Sequence, residues 1–313
     1  MSRASRFNMP NFTHSRLTVA VSGATGLIGS ALVTRLRAHG HNMRCLTRSS
    51  RPRLPDDVPF DTARGLLDPA ALSGCNAVVN LAGEPIAQRW TEARKREIRE
   101  SRVRVTALIA RTIGEMPTKP AVVLSGSAVG YYGDRGDELL DERSTRGNDF
   151  LSSVVEDWEG AAAPIANDGV RLVLLRTGLV LTPRGGALEK LLPPFRLGLG
   201  GPIGSGRQWM SWISLEDHLR AIEHALFTDD VRGPINLVTP NPVTNATFAA
   251  TLGGVLGRPA LIPVPSFAVK AIFGEMAEAT ILAGQRVRPG ALLETGFVFD
   301  EPMLEGALRR ALV

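Results

Sequence analysis

The feature that most constrains this chain is a glycine-rich turn between a short apolar strand and a helix. Residues 17–21 are predicted to form a buried strand, and residues 30–39 have the apolar spacing of a helix. Gly23, Gly26 and Gly29 stand between them. Glycine permits a tight turn and the close approach of a pyrophosphate, and the following helix offers its free N–H groups to the phosphates. The pattern therefore predicts a dinucleotide-binding turn that opens an α/β fold.

The alternation of strands and helices continues along the chain. Apolar runs predict strands at residues 42–47, 77–81, 121–125 and 171–176, and helical spacing predicts helices at 91–113 and 150–167. We expect Pro164 to bend or shorten the last of these helices. Strands that alternate with helices indicate a Rossmann-type, doubly wound parallel sheet with a smaller C-terminal substrate or cap region.

The residues after the second strand indicate which nucleotide is bound. NAD sites place a carboxylate there for the ribose 2′-hydroxyl, whereas this chain has Arg48, Ser49 and Arg51 and no acid before Asp56. A guanidinium binds a 2′-phosphate through paired donors, so we expect NADP(H), although Arg48 as a solvated surface residue is the alternative. The predicted cofactor-binding residues are Gly23, Thr25, Gly26, Leu27, Ile28, Gly29, Arg48, Ser49, Asn80, Leu81, Ala82 and Gly83.

Composition excludes several classes of protein. The 313 residues are 44% hydrophobic, yet no apolar run approaches the ~20 residues of a membrane-spanning helix. Two cysteines are too few for a disulfide framework, so a cytoplasmic location is expected. The net charge of +5 is scattered, aromatic residues make up only 5%, and charges on the helix at 91–113 are interleaved. We therefore expect neither a membrane nor a nucleic-acid partner.

Three regions are expected along the chain. Residues 1–16 have no periodic apolar pattern and are predicted to be a flexible tail. Residues 17–180 form the predicted NADP-binding Rossmann domain, with core strands recurring to about residue 240. Residues 181–313 form a smaller substrate-binding and C-terminal extension region, rich in loops and then in helices interrupted by proline.

Several segments together resemble a known family. Residues 21–29, 80–83 and 124–133 resemble the extended short-chain dehydrogenase/reductases, within the NAD(P)-dependent epimerase/dehydratase superfamily. Residues 82–86, 175–178, 204–208, 212–213 and 233–236 are similar to its sugar-nucleotide-epimerase-like subfamily, which has a short C-terminal extension. The resemblance covers the chain from residue 17 onward and implies oxidoreductase or isomerase chemistry on a small-molecule substrate. Extended relatives often dimerise, so a homodimer is one expectation.

The catalytic pattern of the family is incomplete in this chain. The family uses a serine together with a tyrosine and a lysine four residues apart on a helix. Ser127 matches the serine, but Leu151 and Val155 fill the other two positions and cannot transfer a proton. The chain's two tyrosines, Tyr131 and Tyr132, follow Ser127 closely. Ser127, Tyr131 and Tyr132 are therefore the catalytic candidates, with ordinary packing as the alternative for each tyrosine.

The charge partner proposed for the tyrosines is Arg135. Glu84, Arg176 and Arg207 are the candidate substrate-binding residues, because each follows a predicted strand end or lies in a glycine-rich loop. A helix-terminal charge is the alternative for Glu84, and a structural ion pair is the alternative for the arginines. Histidines lack partners at metal-ligand spacing, so no metal is expected.

The leading functional hypothesis is an NADP-dependent oxidoreductase or epimerase-like enzyme that acts on a carbonyl compound or a sugar nucleotide. The alternative is a protein that binds NADP(H) without reacting it, as a sensor or interaction module. The loss of the tyrosine and lysine at positions 151 and 155 motivates that alternative.

Overall fold

A parallel β-sheet lies at the centre of the computed structural model, which describes residues 16–48 and 56–312. The strands are β1 (Thr18–Ser22), β2 (Asn42–Thr47), β3 (Asp57–Pro59), β4 (Ala77–Asn80), β5 (Val122–Ala128), β6 (Leu139–Leu140), β7 (Arg171–Thr177), β8 (Leu179–Leu181), β9 (Trp209–Met210), β10 (Trp212–Ser214), β11 (Gly233–Leu237), β12 (Val243–Thr244) and β13 (Arg286–Val287). The helices are α1 (Leu27–Ala38), α2 (Pro69–Leu72), α3 (Glu92–Glu115), α4 (Phe150–Asn167), α5 (Gly186–Arg196), α6 (Leu215–Phe227), α7 (Asn245–Leu256), α8 (Ser266–Phe273), α9 (Gly290–Glu294) and α10 (Leu304–Leu312). Short 3₁₀ and π-helical turns lie at Val129–Tyr132 and Ala277–Ile281.

The seven strands of the central sheet follow the order β11-β7-β5-β4-β1-β2-β3, and every pairing is parallel. The chain runs outward from β1 to β3, returns to β4, and then runs outward on the other side. The strand order therefore reverses between β1 and β4, where Ser22 pairs in register with Asn80. Ligands of such sheets bind at the carboxyl edge beside this reversal. The predicted doubly wound α/β class is confirmed.

Helices cover both faces of the sheet, which explains why its strands are almost continuously apolar. On one face Leu32 and Ile222, from α1 and α6, share a buried cluster with Val21 of β1. On the other face Ile109 of α3 and Ile165 of α4 belong to a second cluster. Removing this apolar surface from water stabilises the layers by about 25 cal/mol per Å².

Pro164 does not shorten α4, which continues to Asn167. A proline inside a helix removes one backbone hydrogen bond and crowds the preceding turn. Its neighbours Ala162 and Ile165 are completely or almost completely buried against the sheet. The packing of this helical face retains the helix where local preference alone would end it.

The C-terminal half adds its own core and also contributes to the central sheet. Strand β11 lies beyond residue 180 in the sequence, yet it pairs with β7. A separate buried cluster includes Leu188, Phe248 and Leu308.

The predicted tail at 1–16 lies, except for Arg16, outside the described residues. Over residues 16–48 and 56–312, no helix combines the length and apolar character needed to cross a bilayer.

Acid is expected to destabilise the fold through His218. This imidazole is completely buried, and burial lowers its pKa from 6.5 to about 4. Between these pH values His218 is protonated in the unfolded chain but stays neutral in the folded chain. The free energy of unfolding therefore falls as the pH drops from about 6.5 to about 4. The loss attributable to His218 is at most about 3 kcal/mol. Denaturant unfolding across this range measures it; in His218→Gln the slope should decrease, and an unchanged slope would contradict the assignment.

Candidate active site at the carboxyl edge of the sheet

Two of the three glycines in the first turn, Gly23 and Gly29, meet a steric requirement. Gly23 has a φ of +71°, and a Cβ there would lie 2.7 Å from the carbonyl carbon of Leu81. The N–H of Gly26 donates to the carbonyl oxygen of Gly23 over 2.9 Å. A Cβ on Gly29 would lie 2.2 Å from that same oxygen. The turn is therefore closed against both β4 and the first turn of α1, and only glycine fits at these contacts.

The N-terminus of α1 is open towards this turn. The capping position is occupied by Gly26, so no side chain caps the helix, and the first turn of the helix contains no acid. Thr25 is exposed in the turn, whereas Leu27 is half-buried and lies near Gly185. Ile28 packs against the sheet core. The helix therefore directs backbone donors and its positive dipole end at the crevice without competition from a carboxylate.

Asn80 lies buried beneath the turn, with 1% of its surface exposed, and its side chain links neighbouring elements through hydrogen bonds. Its Oδ1 accepts from the Ser22 hydroxyl over 2.5 Å, and its Nδ2 donates to Thr106 Oγ1 over 2.8 Å. The indole N–H of Trp158 donates to the same Thr106 oxygen over 3.0 Å. These contacts join β1, β4, α3 and α4. The side chain of Asn80 is thus occupied within the protein, and it shapes the crevice from below.

The predicted residues after Asn80 differ in their surroundings. Leu81 packs against the core on the α1 side of the sheet, and Ala82 packs against the core on the α3 side. The Leu81 N–H donates to the Ser22 carbonyl over 3.1 Å. A Cβ on Gly83 would lie 3.2 Å from Cζ of Arg102. The side chains thus anchor this loop on both faces.

Arg48 stands at the end of β2, where its side chain is 74% exposed. Its guanidinium lies 3.5 Å from the Glu84 carboxylate, which follows the β4 loop. Since β1 lies between β2 and β4, this ion pair spans the edge above the glycine turn. Ser49 and Arg51, which the sequence associates with Arg48, lie outside the described residues.

Arg102 also reaches the crevice, although the interleaved charges of this helix are typical of a solvated surface. Its guanidinium donates to the carbonyl oxygens of Ile98 and Glu84, each over 2.9 Å. It also stacks 5.2 Å from the Trp158 ring. Burial lowers the pKa of Arg102 to about 10, so it remains charged at neutral pH. Arg102 follows Ile98 by one helical turn, and this spacing is the signal that places it on the inner face.

Ser127, Glu159 and Arg176 form a buried network at the ends of β5 and β7. The Ser127 hydroxyl donates to Glu159 Oε1 over 2.6 Å. Arg176 donates to both oxygens of the same carboxylate, over 2.8 Å and 2.9 Å. Although burial by itself lowers the pKa of Arg176, its hydrogen bonds and attraction to Glu159 raise it, so the guanidinium stays charged. The structure thus places Arg176 in an internal ion pair.

The two tyrosines occupy different environments. Tyr132 is completely buried, and its hydroxyl donates to Asn236 Oδ1 over 2.8 Å and accepts from Arg176 over 3.1 Å. Burial raises the pKa of Tyr132 to about 12. Tyr131 is half-buried, and its ring centroid lies 3.6 Å from Cζ of Arg176. Arg176 rather than Arg135 is therefore the guanidinium that contacts both tyrosines.

Arg135 and Arg207 lie apart from this network. Arg135 donates to both carboxylate oxygens of Glu138, over 2.8 Å and 2.7 Å, so the expected pairing with a tyrosine does not form. Arg207 is exposed, and its backbone N–H donates to Ser205 Oγ over 3.3 Å. Leu151 and Val155, which replace the family's tyrosine and lysine, are both buried on α4.

The glycine turn and the Ser127 network adjoin each other through α4. Trp158 belongs to the Asn80 network, and the next residue, Glu159, belongs to the Ser127 network. A Cβ on Gly126 would lie 2.7 Å from the Trp158 ring and 3.0 Å from the Asn80 carbonyl oxygen. The fold thus joins the predicted cofactor turn to Ser127 and Tyr131 along one sheet edge.

The chain is similar in sequence and structure to known proteins. Residues 19–237 match the NAD dependent epimerase/dehydratase family, and residues 264–311 match a domain of unknown function called DUF1731. The crystal structure of human epimerase family protein SDR39U1 (isoform 2) with NADPH superposes with a TM-score of 0.86. That structure is 40% identical, and the alignment covers 94% of this chain and 99% of the human one.

Curated relatives extend over nearly the whole chain. Epimerase family protein Mb2239 of Mycobacterium bovis is 43% identical, with 93% of this chain and 96% of the relative covered. A chloroplastic SDR39U1 homolog of Arabidopsis thaliana is also 43% identical, with 94% and 86% covered. The cytoplasmic location of this chain therefore stays a prediction. The sheet order, the glycine turn and these matches show that the chain belongs to the NAD dependent epimerase/dehydratase family.

Proposed function

We propose that this chain binds NADP(H) and acts as an oxidoreductase or epimerase-like enzyme on a carbonyl compound or sugar nucleotide. The observation that carries this proposal is the uncapped N-terminus of α1 behind a glycine turn, with Arg48 after β2 in place of a carboxylate. The human relative crystallised with NADPH supports the same nucleotide. When bound, the nicotinamide supplies or accepts the hydride.

The residues at the crevice fit such a cofactor. N–H groups from the turn and the start of α1 would hold the pyrophosphate, because no side chain caps α1 and its first turn contains no acid. Arg48 would hold the 2′-phosphate with its exposed guanidinium. Asn80 holds the β4 loop in place through its internal hydrogen bonds. Ser49 is retained as a candidate from the sequence alone.

Ser127 and Tyr131 are the proposed groups at the reacting oxygen. Ser127 donates its own proton to Glu159, so its oxygen is oriented to accept a hydrogen bond from a substrate hydroxyl. Tyr131 makes no side-chain hydrogen bond within residues 16–48 and 56–312, and stacking on Arg176 holds its ring. Its hydroxyl is therefore the proposed proton donor and acceptor in place of the missing family tyrosine.

Tyr132 and the candidate substrate residues take different roles. The hydroxyl of Tyr132 is committed to Asn236 and Arg176, so we assign it to positioning. Arg176 supports Ser127 through Glu159, and Glu84 lies beside Arg48 on the cofactor side. Arg207, exposed in its glycine-rich loop, remains the candidate for direct contact with the substrate.

Arg48→Ala is expected to lower the affinity for NADPH by about 10–100-fold and to leave that for NADH nearly unchanged. The reason is the loss of charge-assisted hydrogen bonds to the 2′-phosphate, worth about 1.5–3 kcal/mol. Fluorescence titration of the four tryptophans measures both affinities. Glu84→Gln is the matched control, because it removes the partner of Arg48 and keeps the guanidinium. A wild-type protein that binds neither nucleotide would refute the proposal.

Tyr131→Phe is expected to reduce substrate-dependent turnover by about 10²–10⁴-fold, the usual contribution of a proton donor. Its thermal stability should stay close to that of the wild type. Tyr132→Phe should instead lower the free energy of unfolding by about 1–3 kcal/mol, because it removes the hydroxyl that donates to buried Asn236 Oδ1 and accepts from Arg176. Nicotinamide absorbance and denaturant unfolding separate the two effects. Equal turnover in the wild type and Tyr131→Phe would remove Tyr131 from the reaction.

A second candidate function is NADP(H) binding without turnover. The observation in its favour is that Leu151 and Val155 are buried where the family places its proton-transferring pair. A change in nicotinamide absorbance that requires both this protein and an added carbonyl substrate would eliminate it.

A further inference from the structure

Trp209 and Arg286 come together from distant parts of the sequence. Strand β9 contains Trp209, and its carbonyl oxygen accepts from the Gln285 N–H over 3.3 Å. The Ser211 hydroxyl donates to the Gln285 carbonyl over 2.6 Å and accepts from the Val287 N–H over 2.9 Å. The segment that contains Arg286 is therefore held firmly beside β9.

The Arg286 side chain has an unusual environment for a partly buried arginine. Its Cζ lies 4.4 Å from the centroid of the Trp209 ring, and its buried Nε has no acceptor within the described part of the chain. Arg171 and Arg176, by contrast, donate to carbonyl or carboxylate oxygens. Buried donors are almost always paired, so Arg286 is suited to an acceptor from outside the chain.

The indole beneath Arg286 is fixed in place. The Trp209 Nε1–H donates to Asp137 Oδ1 over 2.7 Å, which occupies that carboxylate oxygen. Among the described residues, Arg286 forms no ion pair with Asp137 or with any other carboxylate. The charge of the guanidinium is therefore balanced on one side only, by the π-face of the indole.

This pair lies close to the proposed reacting groups. The Gly284 N–H donates to Asp134 Oδ1 over 3.2 Å, and the Arg135 N–H donates to the Gly284 carbonyl over 3.3 Å. Asp134 and Arg135 stand two and three residues after Tyr132 in the sequence. Val287, the neighbour of Arg286, belongs to the buried cluster that contains Tyr132 and contacts Tyr131. The C-terminal segment thus forms one side of the Tyr131 region.

We propose that Arg286, supported by Trp209, binds an anionic group of the substrate, either a phosphate or a carboxylate. A guanidinium presents paired donors that match the oxygens of both groups. Arg207 stands two residues before Trp209 and offers a second, exposed cation on the same loop. The assignment of this site to the substrate rests on the proposed function, whereas its capacity to bind an anion does not.

The test is calorimetric titration of wild-type protein and variants with inorganic phosphate, pyrophosphate and acetate, all in the presence of saturating NADPH. The nucleotide keeps added anions out of the glycine turn. Arg286→Gln should weaken anion binding at least tenfold, consistent with the loss of a charge-assisted pair. Arg258→Gln is the matched control, because Arg258 is exposed and this substitution removes the same charge. Preference for pyrophosphate indicates a phosphorylated substrate, and preference for acetate indicates a carboxylate.

Three outcomes would overturn the proposal: no anion binding by the wild type, equal weakening in both variants, or loss of NADPH affinity in Arg286→Gln alone. Should Arg286→Gln fail to fold, Arg286→Lys keeps the charge and removes the paired donors, and partial weakening is expected. Titrations without nucleotide separate this site from the proposed function. Wild-type protein that fails to bind NADPH but binds an anion through Arg286 would refute the proposed function and retain this site.

Discussion

Replacing Arg176 by methionine is expected to lower the free energy of unfolding by about 3–5 kcal/mol. Only 3% of Arg176 is exposed, and it balances the charge of Glu159 through two hydrogen bonds. Methionine has a similar length but leaves the carboxylate buried without its cation. Denaturant unfolding at neutral pH measures the loss directly. Ser127 should also lose its fixed orientation, because Glu159 is its hydrogen-bond partner.

A double-mutant cycle separates the ion pair from simple loss of packing. Glu159→Gln combined with Arg176→Met removes both charges, so the double variant should be less destabilised than the sum of the two single variants. Arg48→Met is the surface control, because Arg48 is 74% exposed and its pair with Glu84 is worth about 0–1 kcal/mol. Additive effects across the cycle would show that the buried pair carries no coupling energy.

Gly29→Ala is expected to disrupt the cofactor turn. The added Cβ would lie 2.2 Å from the Gly23 carbonyl oxygen, so either the turn or α1 must move. Overpacking of this kind costs about 1–3 kcal/mol. If the turn moves, the same energy appears as a loss of NADPH affinity of about 5–150-fold, since 1.4 kcal/mol corresponds to tenfold. Thermal unfolding and nucleotide titration together measure how the cost is divided.

Gly254→Ala is the matched control for this substitution. Gly254 is exposed on α7, and an added Cβ would meet no atom within 4 Å. Alanine is favoured over glycine inside a helix by about 1 kcal/mol, so this variant should be slightly stabilised and should bind NADPH normally. Equal behaviour of the two alanine variants would contradict the steric account of the turn.

Much of the architecture could be predicted because it depends on patterns that act over short distances. The strand at 17–21, the three glycines and the following helix predict the doubly wound fold, and the central sheet confirms it. The family resemblance is confirmed as well. Pro164 was expected to bend or shorten α4, and the shortening does not occur, because burial of Ala162 and Ile165 outweighs the local preference of proline.

The partners of the polar side chains could not be predicted in the same way. Arg135 was expected beside the tyrosines, but Glu138 lies three residues away and binds it on the surface. Arg176 contacts the tyrosines instead, because β5 and β7 are neighbours in the sheet. The buried contacts of Arg102 and Glu159 were not predicted, because a charged residue on a helix is usually solvated.

The amino-acid sequence alone was enough for the fold class and the position of the glycine turn, because periodicity and glycine geometry are local properties of the chain. The family followed from the resemblance of its motif segments to known members. Tertiary structure alone decided that Tyr132 is completely buried while Tyr131 is half-buried, that Asn80 supports the turn from below, and that Arg286 stacks on Trp209. Each of these contacts joins elements far apart in sequence. Their formation depends on strand order and helix packing, which bring a charge and its partner together only after the chain has folded.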